Sequence, residues 1–152
     1  MRSPSVLATL TRGVGAGLAG TAVMTAFQRL VEQPLTRRPD SHAPAEVAEA
    51  LLPVHSASPA GRTRLNWVAH FGFGTVWGAG HALASRAGLR GQRAVHVVFA
   101  LGYPADVLLA TALGVYHPGR WSRQDWLVDV LDKYVALQAT GFVHDRFLVP
   151  RR

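Results

Sequence analysis

A single carboxylate interrupts an otherwise apolar stretch of the sequence. Asp106 lies within residues 94–119, which contain no other acidic residue, no lysine and no arginine. If this stretch crosses a bilayer, an ionised carboxylate near its middle costs on the order of 2.5–3.5 kcal/mol on insertion scales. The side chain should therefore face other helices, where it would either bind a proton or a cation or form a structural hydrogen bond to a facing polar group.

Several polar residues could meet this carboxylate inside the protein. Residues at i, i+4 spacing form one ridge of a helix, and this spacing relates Asn66, His70, Gly74 and Gly78. The partners that we consider for Asp106 are His70, His96, Tyr103 and Lys133. We predict five polar residues inside the membrane, namely Asp106, His70, His96, Asn66 and Tyr103.

Histidines offer a second kind of site, because imidazoles that face each other in a helix bundle can hold haem or a metal ion. Four of them lie in predicted helices: His70, His81, His96 and His144. We expect His81 and His144 to lie near the membrane interfaces, where a histidine needs no special partner. The sequence has no cysteine, no His-x-x-x-His pair and no Glu-x-x-His motif, so we expect no cofactor, with haem or a metal as the alternative.

Motifs of enzymes are also missing from the sequence. It contains no Gly-x-Ser-x-Gly turn for a nucleophilic serine. The Gly-rich first helix lacks the Gly-Lys-Ser/Thr ending of a phosphate loop and follows no predicted strand. These observations favour a protein that is not an enzyme.

The element that must position these groups is residues 65–85, which carry no Asp, Glu, Lys or Arg and are bounded by Arg64 and Arg86. At about 1.5 Å per residue, a helix of this length crosses a hydrocarbon core of ~30 Å. Spans are predicted at about residues 10–31, 65–85, 94–117 and 127–148. The fourth is included because three spans alone would leave little to cover the polar faces of the second and third helices. We therefore predict an all-α fold, an integral membrane bundle of four transmembrane helices in one domain, residues 1–152.

The segments at either side of these spans leave alternatives open. Residues 13–28 follow a positively charged start and could instead be a signal peptide. The fourth span begins with Asp129, Asp132 and Lys133, so it could be a helix half out of the lipid, with Asp129 and Lys133 spaced for an ion pair. Residues 33–63 are predicted to be an extramembrane loop, in which PAEVAEALLP indicates a short amphipathic helix.

Small residues recur at four-residue spacing on the first two predicted spans. Such faces let two helix backbones approach closely, which is how helices associate in a bilayer. We predict that five glycines lie at helix contacts, namely Gly13, Gly17, Gly20, Gly74 and Gly78. The contacts could join helices of one chain, two copies of the chain, or the chain and another membrane protein.

The chain has a net charge of +7 and an isoelectric point near 11.2. Its arginines cluster at the ends of apolar stretches, as in Arg86, Arg90 and Arg93, which is where anionic lipid headgroups favour them. We therefore expect the lipid bilayer as a partner and no nucleic acid. The short turn over residues 86–93 has three arginines and no acid, so we expect both termini in the cytoplasm, although arginines of the first loop oppose this orientation.

Three segments resemble the YagU-like family of small bacterial inner-membrane proteins. They are residues 17–25 (GLAGTAVMT), residues 44–48 (PAEVA) and the ridge from Asn66 to Gly78. The resemblance implies a four-helix protein of the inner membrane and supplies no reaction and no catalytic residues. The fourth helix of this chain is more charged than the resemblance implies.

These observations lead to three hypotheses about function. The first is a non-enzymatic multi-pass membrane protein that acts by helix packing with itself or a partner. The second is a small transporter, or a protein that conducts protons or cations, using Asp106 and His70. The third is a membrane protein that binds haem or a metal ion.

Overall fold

The computed structural model describes residues 5–149, and within this range the chain is helical with no strand. A π-helical turn, Gln28–Glu32, joins α1 (Val6–Phe27) to α2 (Gln33–Thr36). Then come α3 (Ala43–Leu51), α4 (Pro59–Arg86) and α5 (Gln92–Ala112). A 3₁₀ turn, Pro118–Arg120, precedes α6 (Arg123–Val143), which a second π-helical turn extends over His144–Leu148. The predicted all-α class is confirmed, whereas the predicted domain, 1–152, extends past the described residues at both ends.

Serine side chains determine where three of the long helices begin. Ser5 and Ser58 accept hydrogen bonds from the first turns of α1 and α4. Ser122 and Asp125 form a reciprocal capping box at the start of α6. These caps supply acceptors for N–H groups that have no partner within the helix. With Pro59 in its first turn, α4 therefore begins six residues before the predicted span at residue 65.

The segment predicted as a loop, residues 33–63, is more helical than expected. The amphipathic helix predicted there corresponds to α3, and it lies against α4. Asn66 accepts a hydrogen bond from the Ala45 N–H (3.1 Å) and donates one to the Ser41 carbonyl (3.0 Å). Glu46 pairs with Arg62 at 2.8 Å. The hydrogen bonds of Asn66 and the Glu46–Arg62 ion pair therefore hold α3 and the residues before it against α4.

The long helices meet mainly through glycines. α1 packs against α4 and α6, and α5 packs against α6 and α4. A Cβ atom built on Gly13 would lie 2.6 Å from the carbonyl oxygen of Gly78, and one on Gly17 would overlap the carbonyl of Gly74. Gly20 meets the other neighbour, because a Cβ there would overlap Thr140 on α6. All five glycines singled out in the sequence thus lie at contacts within one chain.

The interior is built from small residues, and the exterior carries the large apolar ones. Ala16, Ala82 and Ala94 are completely buried, and Leu137 is the largest apolar side chain in the described chain with no exposure. By contrast, Leu101 and Leu108 on α5 are 71% and 69% exposed.

Two stretches are long and apolar enough to cross a membrane by length and composition, Val6–Thr36 and Gln92–Ala112. They correspond to the first and third predicted spans. In the described residues, α4 and α6 are long enough but less apolar on average. Four crossings therefore remain a prediction.

We expect Gly78→Ala to destabilise the protein, because the added methyl would overlap the backbone of α1 at Gly13 and Gly17. The cost should be roughly 1–3 kcal/mol of unfolding free energy, as for other overpacked cores. Gly72→Ala is the matched control, since Gly72 lies on the same helix with nothing within 4 Å of its Cβ position. Thermal unfolding of the purified variants measures both, and equal melting temperatures would contradict a close contact at Gly78.

Candidate functional site

Asp106 pairs with Lys133 across the contact between α5 and α6. Its Oδ2 lies 3.0 Å from the Lys133 Nζ, and the side chains of Asp106 and Lys133 are 36% and 16% exposed. Lys133 also forms an ion pair with Asp129, one turn earlier on α6. Of the four partners considered for Asp106, Lys133 is the one that forms an ion pair with it. The ion pair predicted from the spacing of Asp129 and Lys133 is also present.

Two tyrosines complete the surroundings of this lysine. The Lys133 Nζ lies 5.4 Å from the ring centroid of Tyr103 and 5.0 Å from that of Tyr116. It also donates a hydrogen bond to the Tyr116 hydroxyl (3.3 Å), which lies 3.4 Å from Asp129 Oδ1. We call these five residues the Lys133 cluster. An ammonium group enclosed by two carboxylates and two aromatic faces is stabilised as a cation.

Two further carboxylates, Asp132 and Glu32, line the same cleft as Lys133. The Gln28 amide donates a hydrogen bond of 2.7 Å to Asp132 Oδ2. Asp132 is only 7% exposed, and its Oδ1 has no hydrogen-bond partner among residues 5–149. Glu32, also 7% exposed, accepts a hydrogen bond from Thr36 at 2.6 Å. Asp132 is thus a buried carboxylate with one oxygen still able to accept a hydrogen bond.

These groups line a cleft of about 630 Å³ at the end of the protein where α1 and its π-helical turn end and α4 and α6 begin. Its lining holds six carboxylates: Glu32, Asp40, Glu46, Asp125, Asp129 and Asp132. It holds three cationic side chains: Arg29, Arg38 and Lys133. Four of the carboxylates form ion pairs, Asp40 with Arg29, Asp125 with Arg38, Glu46 with Arg62 and Asp129 with Lys133. The cleft is therefore acidic at Glu32 and Asp132, which have no ion pair among residues 5–149.

The acidic cleft adjoins an apolar cavity of about 450 Å³. Six residues line both spaces: Met24, Ala43, Pro44, His70, Tyr116 and Lys133. Phe73, Trp77 and Leu109 line the apolar part, and Asp106 is its one carboxylate. Together the two spaces form an amphipathic pocket, with acidic groups at one end and aromatic and aliphatic groups at the other.

The other polar residues predicted inside the membrane have separate positions. His70 Nε2 lies 3.0 Å from the Thr25 hydroxyl, so His70 lines the pocket without contacting Asp106. His96 contacts the Tyr134 hydroxyl at 3.0 Å and is outside the pocket lining. Asn66 lines only the acidic cleft. The five predicted residues therefore do not form one site, and His70 shares the apolar cavity with Asp106.

Sequence reasoning missed the contribution of α1 to this pocket. Gln28 and Glu32, in the π-helical turn that follows α1, both line the cleft. Their spacing of four residues in the sequence could have indicated that both side chains lie on one face of the helix. His81 and His144 differ from expectation in another way. They lie near helix ends but are buried, with 0% and 2% exposure, rather than facing an interface.

Comparison with known proteins adds no family to this description. No family model, curated protein or solved structure matches the chain. The resemblance to YagU-like proteins therefore stays a prediction, and inferences about function depend on the geometry above.

We expect Lys133→Met to destabilise the protein far more than Asp106→Asn. Removing Lys133 leaves two carboxylates without their cation. Breaking a fully buried ion pair costs on the order of 3–5 kcal/mol, and these partly exposed groups should cost less than that. Asp106→Asn leaves the Asp129–Lys133 pair intact and alters a partly exposed group. Thermal unfolding of the purified variants measures the order of the two effects, and a larger loss of stability for Asp106→Asn would contradict the central position of Lys133 in the cluster.

Proposed function

We propose that the chain is a multi-pass protein of the bacterial inner membrane in which α1, α4, α5 and α6 cross the bilayer as a four-helix bundle. The exposed apolar residues of α4 and α6 support this reading. Val68 and Val76 on α4 and Leu127 and Phe142 on α6 are all more than 60% exposed. An apolar surface on every long helix is a liability in water but matches hydrocarbon.

The lower average hydropathy of α4 and α6 is consistent with this topology. On α6, Asp132 is buried, and Asp129 and Lys133 pair with each other. In a bilayer, charged groups are tolerated where they face the bundle interior and pair. These residues lower the average without facing the lipid.

Both termini in the cytoplasm is the orientation that we propose. The α4–α5 turn, which carries Arg90, and the end of α6, which carries Arg146, lie together, since the Gly91 N–H donates to Asp145 at 2.9 Å. The short turn carries three arginines and no acid, which favours its retention in the cytoplasm, although arginines of the first loop oppose this orientation. The acidic cleft then opens on the periplasmic side.

The membrane assignment makes a direct prediction. The chain should stay in the membrane fraction after alkaline carbonate washing, because its apolar exterior is solvated only by lipid. Co-expressed soluble and peripheral membrane proteins provide the controls. A purified chain that is monodisperse in buffer without detergent would contradict the assignment.

Within the membrane, the function that the pocket supports best is binding and transfer of a small organic cation. The observation that carries this proposal is that an acidic cleft and an apolar, aromatic-lined cavity adjoin and share six lining residues. Asp132, with its unpaired Oδ1, and Glu32 would attract the cationic group. Trp77 and Phe73 would pack against the apolar body, and an aromatic face also attracts a cation.

Benzyltrimethylammonium is a suitable probe, with its neutral carbon isostere neopentylbenzene as the ligand control. We expect saturable quenching of tryptophan fluorescence by the cation, since Trp77 lines the cavity, and at least tenfold weaker binding of the isostere. Asp132→Asn should weaken cation binding about five- to tenfold, roughly the 1–1.4 kcal/mol of one partly screened charge contact.

Glu49→Gln is the matched control variant, because Glu49 is a carboxylate outside the pocket lining. Equal binding of the cation and the isostere, or no effect of Asp132→Asn, would contradict the cation site. Helix packing with a second copy or another membrane protein would then be the better account. Gly72 favours that account, because it is exposed on α4 with open space at its Cβ position.

A further inference from the structure

His81 is a buried histidine that lacks ordinary hydrogen bonds. It lies on α4 with no exposure, and neither ring nitrogen has a hydrogen-bond partner among the described residues. Its Nε2 is 3.6 Å from Asp145 Oδ1. The non-protonated nitrogen of a neutral imidazole is a common metal ligand, and neither nitrogen of His81 is engaged by a hydrogen bond within residues 5–149.

Two further metal-binding side chains come from the end of α6. His144 is 2% exposed, and its ring centroid lies 5.1 Å from that of His81. Its Nδ1 is 2.9 Å from Asp145 Oδ1. His81, His144 and Asp145 each offer one ligand atom, and the three atoms lie within 4.8 Å of one another.

The local backbone is built to hold these side chains together. A Cβ on Gly141 would lie 3.1 Å from His81 Cε1, so glycine makes room for the imidazole. The π-helical turn over His144–Leu148 carries both His144 and Asp145. The Gly91 N–H donates to Asp145 Oδ2, which leaves Oδ1 for the histidines. Such second contacts commonly orient metal ligands.

We propose that His81, His144 and Asp145 bind one divalent transition-metal ion, for which Zn²⁺ is the best fit. Zn²⁺ accepts imidazole and carboxylate ligands at about 2.0–2.2 Å, which places tetrahedral ligand atoms roughly 3.3 Å apart. The distances above need only side-chain adjustments to reach this geometry. Three protein ligands leave a fourth position for water or another small ligand.

This site is independent of the proposed cation pocket. Its three residues are absent from the lining of both the cleft and the cavity. It lies beside the α4–α5 turn, whereas the acidic cleft lies where α4 begins. Failure of one proposal therefore leaves the other unaffected.

The test is Zn²⁺ binding by metal-stripped protein in detergent, measured by competition with a chromophoric chelator. The wild type should bind one equivalent with micromolar or tighter affinity, and Asp145→Asn and His144→Gln should each weaken binding at least tenfold. His96→Gln is the matched control, since His96 lies between α5 and α6 outside this cluster and contacts Tyr134. Asp132→Asn, which alters the cation pocket, should also leave Zn²⁺ binding unchanged.

Co²⁺ gives a readout that does not depend on the folding of any variant. Bound to the wild type at a four-coordinate site with nitrogen and oxygen ligands, it should show visible d–d absorption that Zn²⁺ abolishes by displacement. Absence of this absorption would overturn the proposal. Equal Zn²⁺ affinity of the wild type and a folded Asp145→Asn variant would also overturn it.

Discussion

The close approach of the α1 and α4 backbones determines where the other groups can lie. Gly13 and Gly17 lie against Gly74 and Gly78, so the backbones of the two helices approach closely at this point. Gly20, one turn further along α1, brings α6 against the same helix. The end of α1 is thereby placed beside the acidic part of α6.

This arrangement explains how a chain with charged residues in its helices can have an apolar surface. Small residues fill the contacts, which leaves room inside for Asp132 and its hydrogen bond from Gln28. Leu101 and other large side chains remain outside. Mean hydropathy over a helix does not distinguish side chains that face the interior from side chains that face outward. It therefore identifies α1 and α5 as candidate spans but not α4 and α6.

The limits of sequence reasoning have the same physical origin. The spacing of small residues predicts that Gly17 and Gly74 each lie at a helix contact. It does not show which helix each one contacts, because that depends on how the helices pack in three dimensions. Asp106 had four possible partners, and the rotation of α6 brings Lys133 to it. His81 and His144 are far apart in the sequence, so no sequence motif predicts that their rings are in contact. The π-helical turn that begins at His144 also contributes to their placement.

Lys133 is the only lysine in the sequence, and it is enclosed by Asp106, Asp129 and two tyrosine rings. The folded chain therefore offers almost no side-chain amine to acylating reagents or to enzymes that attach ubiquitin or acetyl groups to lysine. Amine reactivity at this position would report when the helices separate. The rate of acylation of Lys133 would therefore measure how often the contact between α5 and α6 opens.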